Sequence, residues 1–124
     1  LPGGRIEANE SPLEAAVRET HEECNILLNK EEVLAELPIA SAGSPNLKVI
    51  PYHFNLKTKP LITLATEEHS DYYWVDISYL TSKGNHNEMK LSHDSPEKLF
   101  PCIMINNTPL WGFTYKVLEN FLKW

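Results

Sequence analysis

The segment from residue 2 to residue 25 constrains the fold more than any other part of this 124-residue chain, because a glycine loop is followed by coincident helix signals. Ser11 is a favoured N-cap residue, Pro12 suits the first helical position, and Glu14 can complete a capping box. Asn25 stands where a left-handed residue would end the helix, and asparagine is the usual substitute for glycine in that conformation. The sequence therefore predicts a turn and then a helix that begins at Pro12.

The faces of this predicted helix differ in polarity. Glu19, Glu22 and Glu23 project from a side centred roughly 120° around the axis from the apolar stripe. Carboxylates at i, i+3 and i+4 come within reach of one cluster of cations, and Mg²⁺ relieves their repulsion while it keeps positions for water and phosphate. The alternative is a solvated helix face on which Arg18 pairs with Glu22. The stripe that we expect to be buried consists of Leu13, Ala16, Val17, Thr20 and Cys24.

The spacing of charged residues and glycine resembles the Nudix box, which reads Gly, five residues, Glu, seven residues, Arg-Glu-hydrophobic, any residue, Glu-Glu, any residue, Gly-hydrophobic. A chance match of six such positions in a chain of this length is on the order of one in ten thousand. Asn25 replaces the second glycine and Thr20 replaces an aliphatic residue, but neither change removes a carboxylate. The matching residues are Gly4, Glu10, Arg18, Glu19, Glu22 and Glu23.

The resemblance implies an α/β fold, namely an α/β/α sandwich in which a mixed sheet lies between the box helix and the terminal helix. We expect residues 1–124 to form a single Nudix domain. Complete members of the family have strands before the Leu-Pro-Gly-Gly segment, and these strands are missing from the sequence. The chain is therefore expected to be N-terminally incomplete, or to be completed by another chain, for which a homodimer is one arrangement.

The resemblance also implies an enzyme that hydrolyses a diphosphate linkage with Mg²⁺, or alternatively Mn²⁺, as cofactor. It assigns Glu19, Glu22 and Glu23 as metal ligands, one of which also accepts the proton of the attacking water. The main chain of Gly3 is expected to approach the metal. An ordinary surface ion pair and a plain turn glycine are the alternatives for the residues expected to support the site, which are Gly4, Glu10 and Arg18.

The substrate is left open by the sequence beyond a nucleoside diphosphate linked to another moiety. The segment 109–114 resembles the Trp-Gly-hydrophobic-Thr segment of coenzyme A diphosphatases, but Trp111 and Phe113 could simply pack the last helix, so a coenzyme A-like and an ADP-ribose-like substrate both stay open. Tyr52, Phe54 and Trp74 could stack on a base, but strand alternation favours the core for at least two of them. The rival hypothesis is an inactive Nudix-like module that binds a nucleotide or a protein partner.

Elsewhere the patterns predict strands at 33–40, 48–56 and 72–75, a further short strand at 61–65, a long polar loop at 81–98 and a last helix from about Trp111. Additional carboxylates could join the site or face solvent. These are Glu67 and Glu68 beside His69, and Glu88, Asp94 and Glu97 in the polar loop.

The net charge and the cysteines indicate which partners and which cellular compartment to expect. A net charge of -6 disfavours a surface that tracks nucleic-acid phosphates. Residues 1–4 have no secretory character, and no apolar run approaches the roughly 20 residues that cross a bilayer. Cys24 and Cys102 lie in patterns where reduced cysteine packs as a small hydrophobe. We therefore expect a cytoplasmic protein with a nucleotide-containing small-molecule substrate and no nucleic-acid or membrane partner.

Overall fold

The computed structural model of the protein contains two compact units, one made of Leu1–Pro38 and Ile50–Tyr72 and the other of Ile39–Val49 and Tyr73–Trp124. Within the described parts, no helix combines the length and apolar character that a membrane crossing needs. Both cysteines are free, as expected. The residues that the structure describes are 1–41, 46–65, 71–91 and 98–124.

Helix α1 (Pro12–Cys24) of the first unit begins and ends where the sequence predicts. The Ser11 hydroxyl accepts the Glu14 N–H at 3.1 Å, and the Glu14 carboxylate accepts the Ser11 N–H at 3.1 Å, so the capping box is complete. Asn25 adopts the left-handed conformation with φ 58°, and its N–H donates to the carbonyl of His21 at 2.9 Å. Local signals alone thus determine both ends of this helix.

The burial of α1 differs in part from the predicted stripe. Thr20 is buried as expected, and its hydroxyl donates to the Ala16 carbonyl at 2.7 Å, which satisfies the polar group. Glu23, on the predicted acidic face, is only 9% exposed, and its carboxylate accepts the main-chain N–H of Gly3. Ala15 is also buried, whereas the remaining stripe residues, Leu13, Ala16, Val17 and Cys24, are half-buried.

Seven strands form three small antiparallel sheets in the described residues, with orders β1-β4, β2-β3 and β5-β6-β7. The predicted α/β class is confirmed by this combination of helices and small sheets. The strand pairs described are all antiparallel, whereas the resemblance implied one mixed sheet. The strands are β1 (Val33–Glu36), β2 (Ala40–Ser41), β3 (Lys48–Val49), β4 (Tyr52–Phe54), β5 (His86–Lys90), β6 (Leu99–Ile105) and β7 (Thr108–Trp111).

The predicted continuous strands at 33–40 and 48–56 are each divided. Pro38 lies between β1 and β2, and Pro51 lies between β3 and β4. Proline has no N–H for a strand ladder, so it separates pairing segments. The prediction of a strand at 72–75 is wrong, because residues 71–76 carry no regular structure.

The segment 61–65 is also not a strand, but it has a defined role at the end of α1. The Thr63 N–H donates to the Cys24 carbonyl at 3.0 Å, and the Ala65 N–H donates to the Glu23 carbonyl at 3.0 Å. The last carbonyls of a helix have no partner within the helix. This segment therefore satisfies two acceptors that the helix leaves open.

Strand β5 of the second unit lies in the segment predicted as a polar loop, and this prediction is wrong for 86–90. Its residues pair with β6 over the full length of the strand, from His86 opposite Ile103 to Lys90 opposite Leu99. A short helix, α2 (Ile77–Thr81), precedes it. Cross-strand pairing thus overrides a local composition that favours a loop.

The terminal helix α3 (Gly112–Leu122) packs against this sheet and covers the core of the second unit. That core consists of Leu80, the fully buried Ile103, and Tyr115. The ring of His86 lies between the Tyr115 hydroxyl, at 2.8 Å, and the Leu80 carbonyl, at 2.7 Å. On α3 Val117 is also buried, and Thr114, Leu118 and Phe121 are half-buried, as is Leu110 before the helix.

Candidate active site

Arg18 is the centre of a polar network that joins α1 to the loop before it. Its Nε donates to Glu10 Oε2 at 2.8 Å, and its Nη2 donates to Glu10 Oε1 at 3.1 Å and to the Arg5 carbonyl at 2.9 Å. Its Nη1 donates to Glu19 Oε1 at 2.9 Å and to Glu22 Oε2 at 3.2 Å. A guanidinium has five N–H donors, and five bonds are made here. Arg18 therefore holds the loop with one edge and the helix acids with the other.

The ion pair expected between Glu10 and Arg18 is present, and it is bidentate. Glu10 Oε1 also accepts the N–H of Glu7 at 3.0 Å. The hydrogen bonds from Arg18, followed by that from the Glu7 main chain, hold the pKa of Glu10 below its ordinary value. The same contact with Glu10, followed by that with Glu19, raises the pKa of Arg18, so both groups keep their charges.

Gly4 leaves the space that the Glu19 carboxylate occupies. A Cβ added at Gly4 would overlap Cδ and Oε1 of Glu19 and would lie 2.8 Å from its Oε2, closer than real contacts allow. A Cβ added at Gly3 would meet nothing within 4 Å. The two neighbouring glycines therefore differ, since only Gly4 has a steric requirement set by a box carboxylate.

Gly3 contributes its main chain to the site. Its N–H donates to Glu23 Oε2 at 3.0 Å, across 20 residues of sequence. Glu23 is the most buried of the three helix acids, and a buried carboxylate needs such donors. The loop main chain thus lies against a predicted metal ligand.

The three predicted ligands do not converge on one point. Glu19 and Glu22 each place an oxygen on the same Arg18 nitrogen, whereas Glu23 faces Gly3. Over the ranges that the structure describes, no group of three or more His, Cys, Asp or Glu residues is arranged to hold a metal ion. Two carboxylate oxygens do meet at one positive group, and carboxylates are the hard ligands that Mg²⁺ prefers. The chemistry of these oxygen donors therefore suits a divalent cation, whereas their present arrangement is that of hydrogen bonds to Arg18 and Gly3.

Glu7 was not singled out by the sequence analysis, yet its Oε1 lies 3.6 Å from Nη1 of Arg18. Its side chain is 68% exposed, and it stands outside the box spacing. The turn formed by the Glu10 N–H and the Glu7 carbonyl, 3.2 Å apart, brings it there. The position of Glu7 follows from this turn. Because the turn is closed by main-chain groups, the side chains in the sequence do not indicate it.

The aromatic candidates for base stacking differ in exposure. Tyr52 and Phe54 are half-buried on β4, in accord with the preference for the core, whereas Trp74 is 50% exposed. The Tyr52 hydroxyl donates to Glu36 Oε1 at 2.9 Å, and burial together with this contact raises the pKa of Tyr52. In the second unit Trp111 is 38% exposed and contacts Phe100 edge-on, and Phe113 is half-buried.

Of the additional acidic candidates considered from the sequence, the structure describes Glu88 alone. Glu88 lies exposed on β5 in the second unit. The others, Glu67, Glu68, His69, Asp94 and Glu97, lie outside the described residues.

A family model described as NUDIX domain matches residues 1–95 of the chain. No curated protein and no solved structure matches it. The matched range contains every residue of the Arg18 network, whereas the 109–114 segment that resembles coenzyme A diphosphatases lies beyond it, and nothing supports that subfamily. The family match covers most of the chain and includes the box residues of its first unit, so the protein belongs to the Nudix family.

Proposed function

We propose that this protein is a hydrolase that cleaves a diphosphate linkage in a nucleoside diphosphate joined to another moiety, with Mg²⁺ as cofactor and Mn²⁺ as an alternative. The family match supports hydrolysis of nucleoside diphosphate derivatives in general. The observation that carries the proposal is the complete set of box carboxylates on α1, of which Glu19 and Glu22 bond Arg18 and Glu23 bonds the main chain of the glycine loop. A pure binding role does not require all three acids together.

The residues that would hold the cation are Glu19, Glu22 and Glu23, with the main chain around Gly3 beside them. When bound, Mg²⁺ would lower the pKa of a water and neutralise charge on the departing phosphate. One of the three glutamates accepts the proton of the attacking water. Gly4 gives the Glu19 carboxylate its space.

Arg18 supports the reaction by positioning these groups. Its bidentate bond to Glu10 and its bond to the Arg5 carbonyl fix the loop relative to α1. Its remaining nitrogen reduces the repulsion between Glu19 and Glu22. Supporting contacts of this kind matter because a displacement of about 1 Å can lower a catalysed rate by about 100-fold.

We propose further that residues 1–124 form one Nudix domain, since the family match at 1–95 includes parts of both compact units. For the substrate we propose a coenzyme A-like or ADP-ribose-like molecule. In both, a nucleoside diphosphate is linked to a second group, and each offers the linkage that the family reaction requires.

A second candidate function is a Nudix-like module that binds a nucleotide without turnover. It is favoured because Arg18 bonds an oxygen of both Glu19 and Glu22, and because the described residues contain no group of three acids arranged to hold a metal ion.

The test is release of phosphate-bearing products from coenzyme A, ADP-ribose, dinucleoside polyphosphates and nucleoside triphosphates in the presence of Mg²⁺. Gly4→Ala should lower kcat/KM on the cleaved substrate by about 100-fold, because its Cβ displaces the Glu19 carboxylate. Gly3→Ala is the matched control, and it should stay within about threefold of the parent because its Cβ meets nothing. Glu22→Gln should also abolish cleavage.

Absence of products from every substrate, with a chain shown to be folded, would reject the hydrolase and leave the binding module. Equal losses in Gly3→Ala and Gly4→Ala would reject the assigned role of the space beside Glu19.

A further inference from the structure

The Nη1 nitrogen of Arg18 bonds the same oxygens that the proposed function assigns to the cation. It lies 2.9 Å from Glu19 Oε1 and 3.2 Å from Glu22 Oε2. The guanidinium charge and a divalent cation repel each other strongly at such distances. Coordination through these oxygens must therefore compete with the two Nη1 bonds.

The hydrogen bonds made by Nε and Nη2 of Arg18 are not affected by cation binding at Glu19 and Glu22. Nε and Nη2 are bonded to Glu10 at 2.8 and 3.1 Å, and Nη2 also to the Arg5 carbonyl. None of these acceptors is a proposed metal ligand. Only the two Nη1 donors lose their acceptors, and the positive charge at Nη1 then favours a bond to another carboxylate nearby.

Glu7 is placed to supply that acceptor. Its Oε1 is 3.6 Å from Nη1, just beyond hydrogen-bond distance, and its exposed side chain can rotate closer. Its main chain is fixed, because its N–H donates to Glu10 Oε1 and its carbonyl accepts the Glu10 N–H. The backbone thus holds Glu7 beside Arg18 while its carboxylate remains adjustable.

We infer that Glu7 is a positioning residue that receives Nη1 of Arg18 when Glu19 and Glu22 bind a divalent cation, and that it thereby strengthens cation binding. The inference rests on the metal site of the proposed function. It gives a role to an acid outside the box spacing. Glu7 does not contact the cation in this scheme, and it acts only through Arg18.

The test is equilibrium binding of Mg²⁺ by titration calorimetry and of Mn²⁺ by electron paramagnetic resonance, without substrate. Glu7→Gln should weaken binding by about three- to fivefold, which is the upper part of the range for one exposed ion pair. Glu31→Gln is the matched control, because it removes an exposed acid of the same unit that contacts no residue of the Arg18 network. It should leave the affinity within about 1.5-fold of the parent.

An Arg18→Gln background separates this role from a general effect of charge. There Glu7 has no guanidinium to receive, so Glu7→Gln should change the affinity no more than Glu31→Gln does. If Arg18→Gln does not fold, Arg18→Lys serves, because one ammonium cannot reproduce the guanidinium fork. An equal effect of Glu7→Gln in both backgrounds would overturn the inference. A parent chain that binds neither cation would overturn the metal site itself, whereas a parent that binds and is insensitive to Glu7→Gln would overturn only the role of Glu7.

Discussion

Helices α1 and α3 reach similar lengths by different means. α1 begins with a reciprocal capping box, whereas Trp111 at the start of α3 makes no side-chain capping bond. The most buried residues of α1 include Thr20 and Glu23, both of which need hydrogen bonds, whereas α3 buries Tyr115 and Val117. Polar contacts therefore define α1, and packing on a sheet defines α3.

This difference matters for function, because a helix held by polar contacts can keep acids in a semi-buried position. The two least exposed of the three box carboxylates on α1 each have a donor, since Glu19 accepts from Arg18 and Glu23 accepts from Gly3. Against an apolar surface of the kind that α3 packs on, burying an unpaired charge would instead cost free energy. The comparison predicts that the two helices respond to different substitutions.

The largest effect is expected in the packing of α3. Ile103→Ala should lower the free energy of unfolding by about 3 kcal/mol, because the side chain is fully buried and its loss leaves a cavity. Urea denaturation followed by circular dichroism measures the change. Met104→Ala on the same strand is the control, since Met104 is 41% exposed, and it should cost less than about 1 kcal/mol. Equal losses would show that α3 does not depend on this core.

A smaller effect is expected at the capping box of α1. Ser11→Ala removes the acceptor of the Glu14 N–H and should cost about 1 kcal/mol of unfolding free energy. Ser82→Ala is a matched control, because Ser82 precedes a short 3-10 turn without making a capping bond. The same denaturation experiment applies, and a loss at Ser82 as large as that at Ser11 would contradict the special role of the box.

The smallest effect is expected in the acid dependence of stability. The pKa of Glu10 is lowered on folding, so its bond with Arg18 contributes full stability above its ordinary value of 4.5 and loses it as the pH falls through the lowered pKa. Glu10→Gln should therefore lower the melting temperature at pH 7 and reduce its decline below pH 4.5. Parallel melting curves of parent and variant across this pH range would contradict the assignment.

The sequence predicted α1 and much of the candidate site because their signals are local. Ser11, Pro12 and Asn25 mark the helix ends, and the box resemblance brought Glu10 to Arg18. By contrast, β5 is a strand because it pairs with β6. Its own residues are polar and typical of a loop, and a local sequence pattern does not reveal a distant pairing partner. Pro38 and Pro51 divide the two strands that the sequence predicts as continuous. The missing N–H of proline is a local reason for both interruptions.

The strands β6 and β7 also went unpredicted, although their connection has a local cause. Asn106 and Asn107 both have positive φ, 47° and 64°, and Ile105 lies opposite Thr108. Two-residue hairpin turns favour such residues. An Asn-Asn pair between apolar segments is thus a turn signal. The position of Glu7 beside Arg18 could not be predicted in this way, since it depends on a turn closed by main-chain bonds.

The close approach of Gly4 to Glu19 also bears on how related sequences can diverge. Any side chain at position 4 requires the space of the acid at position 19, so the two positions should vary together. A relative that has lost the acid is free to replace the glycine, whereas one that keeps the acid and replaces the glycine must move the carboxylate away from this position. A bulkier residue at position 4 would then indicate that the carboxylate at position 19 is absent or lies elsewhere.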